Sequence, residues 1–236
     1  MSGPERPDGA AAASRLLGVV FAGGKSRRMG QDKALLPWPV DPAGGREAVT
    51  LMERAARVLE GLGCAVEIAR GSGERTVPGG RPVVLDAAPD AGPLAGLLSA
   101  LERAQEAGRE GVLALACDMP LVGAGDLLPL AEAVSSEGAA ADAAMWLTDG
   151  REQPLCAAYH LRCLPAVRAA FEGGARRLIA PFEAPRGGPI HGAAAGGRAA
   201  ILKRLVPDEN SSARLVNLNT MTDYDRVARD VGGASP

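Results

Sequence analysis

Aromatic residues are scarce in this chain of 236 residues: phenylalanine, tyrosine and tryptophan together supply 3% of it. A β-sandwich with an aromatic-rich core is therefore disfavoured. Apolar residues nevertheless make up 47% of the chain, which is ample for a buried core. Alanine, glycine, leucine and valine are abundant, so the composition favours aliphatic strands and small-residue helices, as in α/β proteins.

Cysteine and histidine are also few, and no C-x-x-C pair occurs. This pattern excludes a zinc site or a disulfide framework as the organising feature of the fold. We expect reduced, mostly buried thiols. The residues concerned are Cys64, Cys117, Cys156, Cys163, His160 and His191.

Excess charge and long apolar runs are absent as well. The formal net charge is −2, with a pI near 5.8, so we expect no nucleic-acid partner and infer that any bound anion is small. No apolar run reaches the ~20 residues that a membrane span requires. Residues 1–14 lack a basic segment ahead of a leucine-rich stretch, so we expect no signal peptide and a cytoplasmic protein.

Short aliphatic runs alternate with longer amphipathic ones along the chain. This alternation predicts βαβ units, and hence a single three-layer α/β/α domain with a mainly parallel sheet over residues 15–229. We expect residues 1–14 and 230–236 to be disordered. The predicted strands are 16–21, 64–69, 82–86, 112–117, 142–147 and 155–159, the predicted helices are 47–62, 94–107, 124–136 and 162–172, and Pro/Gly-rich insertions are expected at 38–47 and 183–200.

The first predicted strand runs directly into a glycine-rich, basic segment, "AGGKSRRMGQDK" at 22–33. Gly24-Lys25-Ser26 is not a P-loop, because the glycine that a P-loop requires five residues earlier is replaced by Val19. The G-x-G-x-x-G pattern of dinucleotide-binding proteins is absent too.

The position of this segment still indicates phosphate binding. In an open parallel sheet, ligands bind outside the carboxyl ends of the strands. Glycines there let backbone N–H groups approach phosphate oxygens, while Arg27, Arg28 and Lys33 can neutralise a triphosphate.

Asp118 follows another aliphatic run, "VLALAC", and should therefore lie at the same edge of the sheet. Mg²⁺ prefers oxygen ligands and is usually held by one or two carboxylates together with substrate phosphates. Asp118 is accordingly a candidate magnesium ligand.

Residues 22–37, A-G-G-K-S-R-R-M-G-Q-D-K-A-L-L-P, resemble the signature L-A-G-G-x-S-x-R-M-G-x-D-K of molybdenum cofactor guanylyltransferases of the MobA type. Phe21 stands where leucine is usual. The resemblance spans roughly residues 16–228. Further matching segments follow in the family's order: Asp86 closing a strand, "GPLAGLLSAL" at 92–101, "ACDMP" at 116–120, "QPLCAAYH" at 153–160 and "VNLNTMTDYDRV" at 216–227.

The resemblance implies a Rossmann-like nucleotidyltransferase fold and an enzyme that transfers GMP from GTP to the terminal phosphate of molybdopterin, with Mg²⁺ as cofactor. It also implies transient contact with cofactor-insertion proteins or molybdoenzymes. The site residues it implies are Phe21, Ala22, Gly23, Gly24 and Lys33 for the nucleotide, Asp86, Gly92 and Gly96 for the guanosine side, Arg28 and Lys33 for the phosphates, and Asp118 for the metal. Asn217 and Asn219 lie two apart on a predicted strand, so both amides would face one side and bond a polar pterin or its phosphate.

Two alternatives stay open at this point. The first alternative is a cytidylyltransferase that acts on molybdopterin or another small phosphate. Such enzymes typically carry A-A-G where this chain has A-G-G, so Gly23 lacks the Cβ that they have at this position. A non-catalytic nucleotide-binding or chaperone-like module is the other alternative, and the presence of Lys33 and Asp118 argues against it.

Overall fold

A computed structural model of the protein describes residues 9–23, 32–38, 49–71, 77, 80–85, 91–135, 141–183 and 200–232. The strands in chain order are β1 (Leu16–Phe21), β2 (Pro37–Trp38), β3 (Val49–Thr50), β4 (Ala65–Ala69), β5 (Val83–Val84), β6 (Gly111–Ala116), β7 (Ala143–Thr148), β8 (Arg151–His160) and β9 (Leu202–Leu205). The helices are α1 (Gly9–Ser14), α2 (Leu51–Gly61), α3 (Pro93–Glu106), α4 (Ala124–Val134), α5 (Leu164–Glu172), α6 (Glu209–Arg214) and α7 (Met221–Gly232).

The main sheet has seven strands in the order β5-β4-β1-β6-β8-β7-β9. β8 runs antiparallel to β6 and β7, whereas the other neighbouring strands are parallel. The prediction of a mainly parallel sheet is therefore confirmed. The reversal follows from the turn between β7 and β8, where Asp149 (φ +50°) and Gly150 (φ +71°) both adopt the left-handed conformation typical of a two-residue hairpin.

Helices cover both faces of the sheet, which confirms the three-layer architecture. Side chains of β1 alternate between two cores: Leu16 and Val20 pack with α2 and α4, while Leu17 and Val19 pack with α3 and α5. This alternation is expected of a strand buried on both faces. No helix within the described ranges is long and apolar enough to cross a membrane.

Two helices extend into segments that were predicted to be disordered. Residues 9–14 were predicted to be disordered but form α1, which contacts α4 and buries Ala12 and Ala13. Alanine is the best helix former, and its small side chain costs little entropy on burial. Helix α7 likewise continues to Gly232, past the predicted end at 229.

A small separate core joins α7 to the short β2–β3 ladder. Trp38 and Tyr224 meet edge to face with 6.3 Å between ring centroids, and the Tyr224 hydroxyl donates to the Pro37 carbonyl oxygen. Leu218 and Val227 are buried in the same cluster. The chain after Leu35 is thus tied to the C-terminal helix. The two predicted insertions, 38–47 and 183–200, lie almost entirely outside the described residues.

Candidate functional site

Strands β1, β4 and β6 are parallel and end at one edge of the sheet. Just beyond that edge, the Ala22 amide donates to the Ala69 carbonyl oxygen at 2.9 Å, and the Cys117 amide donates to the Phe21 carbonyl oxygen at 3.1 Å. The beginning of the glycine-rich segment is therefore fixed between the ends of β4 and β6. Gly24, Arg27 and Arg28 were predicted to hold phosphates and lie outside the described residues.

Lys33 and Asp118 meet at this edge, although 85 positions separate them in the sequence. The Lys33 ammonium donates to Asp118 Oδ2 at 3.1 Å and also to the Leu218 carbonyl oxygen. Their side chains are 17% and 25% exposed, so both are accessible from the surface of the site. The structure thus places the cation and the carboxylate that the sequence singled out side by side.

A second ion pair involves Asp32, the residue before Lys33. Lys33 opens a single turn of 3₁₀ helix, Lys33–Leu35, and Asp32 caps this turn by accepting from the Ala34 amide at 3.1 Å. The other Asp32 carboxylate oxygen accepts from the guanidinium of Arg70, which is buried at the end of β4. Neither residue was predicted from the sequence to belong to the site. The signal that identified Asp118, a charged residue directly after an aliphatic strand, is also present at Arg70 in "AVEIAR".

The donor set at Asp118 matches a hard cation. A carboxylate oxygen at a partly exposed strand end is the type of ligand that Mg²⁺ prefers. Over the described ranges, no three His, Cys, Asp or Glu side chains form a cluster that could hold a metal. Of the described residues, Asp118 is the one that would hold a magnesium ion here, together with oxygens of the substrate.

The start of α3 fixes Gly92 in a conformation that favours glycine. Its φ is +87°, and an added Cβ would lie 3.3 Å from the Cβ of Arg176. Pro93 occupies the first turn, as expected for a helix start, and the Leu94 amide donates to the Arg176 carbonyl oxygen at 3.3 Å. Gly96 is buried on the same helix. Contact of Gly92 and Gly96 with guanosine stays a prediction, and Asp86 lies outside the described residues.

The predicted strand around Asn217 and Asn219 is wrong, because the chain from 215 to 219 pairs with no strand. The Leu218 amide instead donates to the Asp118 carbonyl oxygen at 2.8 Å, which draws the segment across the end of β6. Asn217 Nδ2 donates to Gln153 Oε1 at 3.2 Å. The Asn219 side-chain Nδ2 donates to the Asn217 carbonyl oxygen at 3.4 Å, and the Asn219 backbone amide donates to Asp223 Oδ2 in the first turn of α7 at 3.1 Å. The two asparagines therefore have different partners.

A polar cavity of about 490 Å³ lies beside Asn217. Gln153, the partner of Asn217, lines it and donates to Thr148 Oγ1 at 2.6 Å. Leu215 and Val216 line the cavity, and Leu218 follows two residues later. The Leu218 backbone accepts from Lys33 and donates to the Asp118 carbonyl oxygen, so a short segment of chain connects the cavity to the Lys33–Asp118 pair. The full lining is Thr148, Asp149, Arg151, Gln153, Ser212, Leu215 and Val216.

The four cysteines are buried, as predicted. Burial raises the pKa of the Cys64 and Cys117 thiols to about 12 and places those of Cys156 and Cys163 well above the usual range. These thiols are therefore uncharged at neutral pH. Because a thiolate is the reactive form of cysteine, none of the four is suited to nucleophilic attack.

Comparison with known proteins agrees with this geometry. The model of the MobA-like NTP transferase domain matches residues 18–189. A probable molybdenum cofactor guanylyltransferase of Mycobacterium tuberculosis is 37% identical over 173 residues, which cover 72% of this chain and 80% of that protein. A protein of the same description from Rhodopirellula baltica is 33% identical over 171 residues, covering 71% of this chain and 79% of the relative.

Solved structures show the same fold at lower identity. Molybdopterin-guanine dinucleotide biosynthesis protein A from Archaeoglobus fulgidus superposes with a TM-score of 0.67 at 19% identity, covering 93% of this chain and all of that one. The 2-C-methyl-D-erythritol 4-phosphate cytidylyltransferase of Thermus thermophilus gives a TM-score of 0.57 at 18% identity, covering 92% of this chain and 98% of the other. Because the family model matches residues 18–189, which is most of this chain, and two relatives exceed 30% identity, this chain belongs to the MobA-like NTP transferase family.

Proposed function

We propose that this protein transfers GMP from GTP to the terminal phosphate of molybdopterin, forming the guanine dinucleotide of the cofactor and releasing pyrophosphate. The observation that carries the proposal is the Lys33–Asp118 pair, 3.1 Å apart beside the glycine-rich segment of a nucleotidyltransferase fold. The two relatives described above as guanylyltransferases support the choice of GTP.

The reaction needs positioning and charge neutralisation rather than a protein nucleophile. An oxygen of the molybdopterin phosphate attacks the α-phosphorus of GTP in line. The bond between that phosphorus and the β-phosphate oxygen breaks, and pyrophosphate leaves with the electron pair. The neutral, buried cysteines are consistent with direct transfer. Catalysis then depends on holding both phosphates and compensating their charge.

Each residue of the site has a role in this scheme. The backbone of 22–24 and the Lys33 ammonium hold the triphosphate, and Arg28 is proposed to act beside Lys33. Asp118 would hold Mg²⁺, which supplies further charge neutralisation on the phosphate oxygens. Asp86, Gly92 and Gly96 are proposed to contact the guanosine, and Phe21 to contact the nucleotide from the end of β1.

The cavity beside Asn217 is proposed to take the second substrate. Its amide and hydroxyl groups suit a polar pterin, and the Arg151 guanidinium suits a phosphate. Asn217 and Asn219 would act from this side of the site. Transient contact with cofactor-insertion proteins or molybdoenzymes is part of the same proposal, since the product must be passed on.

The experiment requires the purified protein, GTP, molybdopterin and Mg²⁺. We expect pyrophosphate release only when all four are present, and its loss when a chelator removes the metal. Binding of GTP without pyrophosphate release under complete conditions would instead favour the non-catalytic module. Release without Mg²⁺ would remove the metal role from Asp118.

A further inference from the structure

We propose that Arg70 is a positioning residue that acts through Asp32 to place the Lys33 ammonium at the nucleotide phosphates. This inference rests on the proposed function of the site. It concerns two residues whose chemistry the proposed transfer does not otherwise use. Arg70 lies at the end of β4, and Asp32 directly precedes the turn that carries Lys33.

Two ion pairs lie beyond the carboxyl ends of β4 and β6. The Arg70 guanidinium donates to Asp32 Oδ2, and the Lys33 ammonium donates to Asp118 Oδ2. Asp32 and Lys33 are consecutive residues, so the two ion pairs are adjacent along the chain.

The Asp32 carboxylate links the two pairs mechanically. One oxygen accepts from the Ala34 amide at 3.1 Å and so fixes the first turn after Asp32, while the other is held by Arg70. A carboxylate held at both oxygens has one orientation. The backbone of Lys33 is fixed as well, because Lys33 lies between Asp32 and Ala34, whose amide donates to the Asp32 carboxylate.

The burial of Arg70 argues for this role rather than for ligand contact. Its side chain is 1% exposed, whereas that of Lys33 is 17% exposed. Moving an arginine out of water is costly, and a buried ion pair adds little net stability compared with apolar packing. A guanidinium fixed behind the site can still hold a carboxylate in place, because its planar geometry is rigid.

Non-additivity distinguishes positioning from general stabilisation. Substitutions that act through one shared group do not add, whereas independent effects multiply in rate. If Arg70 acts only through Lys33, its removal should matter little once Lys33 is absent. A purely structural arginine would have the same effect in either background.

The test measures kcat/KM for GTP by pyrophosphate release in four proteins: wild type, Arg70→Met, Lys33→Ala and the double variant. Methionine keeps an unbranched apolar stem and removes the charge. We expect Arg70→Met to lower kcat/KM by about 10-fold in the native background and by less than about 2-fold in the Lys33→Ala background. Equal losses in both backgrounds, or no loss in the first, would overturn the proposal.

The matched control is Arg103→Met. Arg103 on α3 donates to the buried Glu67 of β4 at 3.0 Å, so this variant also unpairs a carboxylate on the same strand. It should lower thermal stability while changing kcat/KM by less than about 2-fold. Should Arg70→Met fail to fold, Asp32→Asn replaces it, because an amide oxygen can still cap Ala34 while the charge that Arg70 holds is lost.

A structural readout separates this inference from the proposed function. In crystals of Arg70→Met we expect the Lys33 ammonium to leave its contact with Asp118 Oδ2, which is 3.1 Å in the native chain. If the wild type shows no transferase activity but Lys33 is displaced in Arg70→Met, the proposed function is overturned and the positioning role is supported. If the wild type is active but Lys33 is not displaced in Arg70→Met, the positioning role is overturned and the proposed function stands.

Discussion

Lys33→Ala is the perturbation whose consequences the structure specifies most fully. The native ammonium donates to Asp118 Oδ2 and to the Leu218 carbonyl oxygen, so the variant loses one charged pair and one further charge-assisted hydrogen bond. The two side chains are 17% and 25% exposed, so water can re-solvate part of what is lost. We therefore expect a stability loss of only about 1–2 kcal/mol.

The effect on catalysis should be larger than the effect on folding. In the proposed reaction the ammonium compensates phosphate charge in both the ground state and the transition state. A charge-assisted hydrogen bond contributes about 1.5–3 kcal/mol, which corresponds to a loss in kcat/KM of roughly 10- to 200-fold. Both binding of GTP and the rate of transfer should weaken.

The assay is steady-state pyrophosphate release, with urea unfolding as the measure of stability. Lys203→Ala on β9 is the matched control, because it removes the same charge from an exposed position at the far edge of the sheet. It should behave as wild type. Unchanged kinetics of Lys33→Ala would show that the Lys33 ammonium does not contact the phosphates.

Three further predictions follow from the same geometry. Asp118→Asn keeps the shape of the side chain but loses the charge proposed to hold Mg²⁺, so turnover should fall below detection while circular dichroism stays native; near-wild-type turnover at saturating Mg²⁺ would remove Asp118 from that role. Gly23→Ala should fold, because the added Cβ would lie 3.4 Å from the backbone of Arg70, which is an ordinary contact distance. We expect the methyl group to crowd the purine, so kcat/KM for GTP should fall roughly 5- to 150-fold, and kcat/KM for CTP should fall less. An unmoved GTP/CTP ratio would show that this position does not select the base. Arg214→Met should lower the free energy of unfolding by about 1–3 kcal/mol at pH 7, because Arg214 donates to the buried Asp126 at 2.6 Å. Urea unfolding measures this loss, and a loss that stays constant down to pH 3 would contradict the pairing.

The pH dependence of that last variant follows from the pKa of Asp126. Burial alone would raise this pKa, but hydrogen bonds from Arg214 and from the Gly123 amide lower it to a net value below the usual one. A carboxyl group whose pKa is depressed by folding stabilises the protein above its unfolded pKa, near 3.9, and loses that contribution as the pH falls through the folded value. The stability difference between wild type and Arg214→Met should therefore narrow below about pH 4.

Local patterns in the sequence predicted most of the sheet, but not the direction of every strand. β1 was predicted at its observed bounds, since an aliphatic run between Arg15 and the glycine-rich segment is a local signal. The antiparallel direction of β8 depends on the Asp149–Gly150 turn. This dipeptide is visible in the sequence, but the alternation of strands and helices along the whole chain favoured parallel strands instead. β9 was not predicted, because its four residues are partly exposed and include Lys203 and Arg204, so they lack the apolar pattern of a buried strand.

The site shows the same division between local and long-range information. Lys33 and Asp118 were predicted to lie together because each follows a strand whose carboxyl end meets the same edge. Arg70 was missed, since a lone arginine after a strand is usually an exposed residue, and only its pairing with Asp32 gives it a role. The strand predicted at Asn217 failed because contacts of Leu218 with β6 and with the small core replace strand pairing there.

A competition experiment between GTP and CTP tests the proposed transfer of GMP. The protein is incubated with molybdopterin, Mg²⁺ and equal concentrations of GTP and CTP, and the dinucleotide products are identified by mass spectrometry. We expect the guanine dinucleotide to predominate and the Asp118→Asn variant to form neither product. Predominance of the cytosine dinucleotide would contradict the guanylyl assignment, and the absence of both products from the wild-type reaction would contradict the transferase function itself.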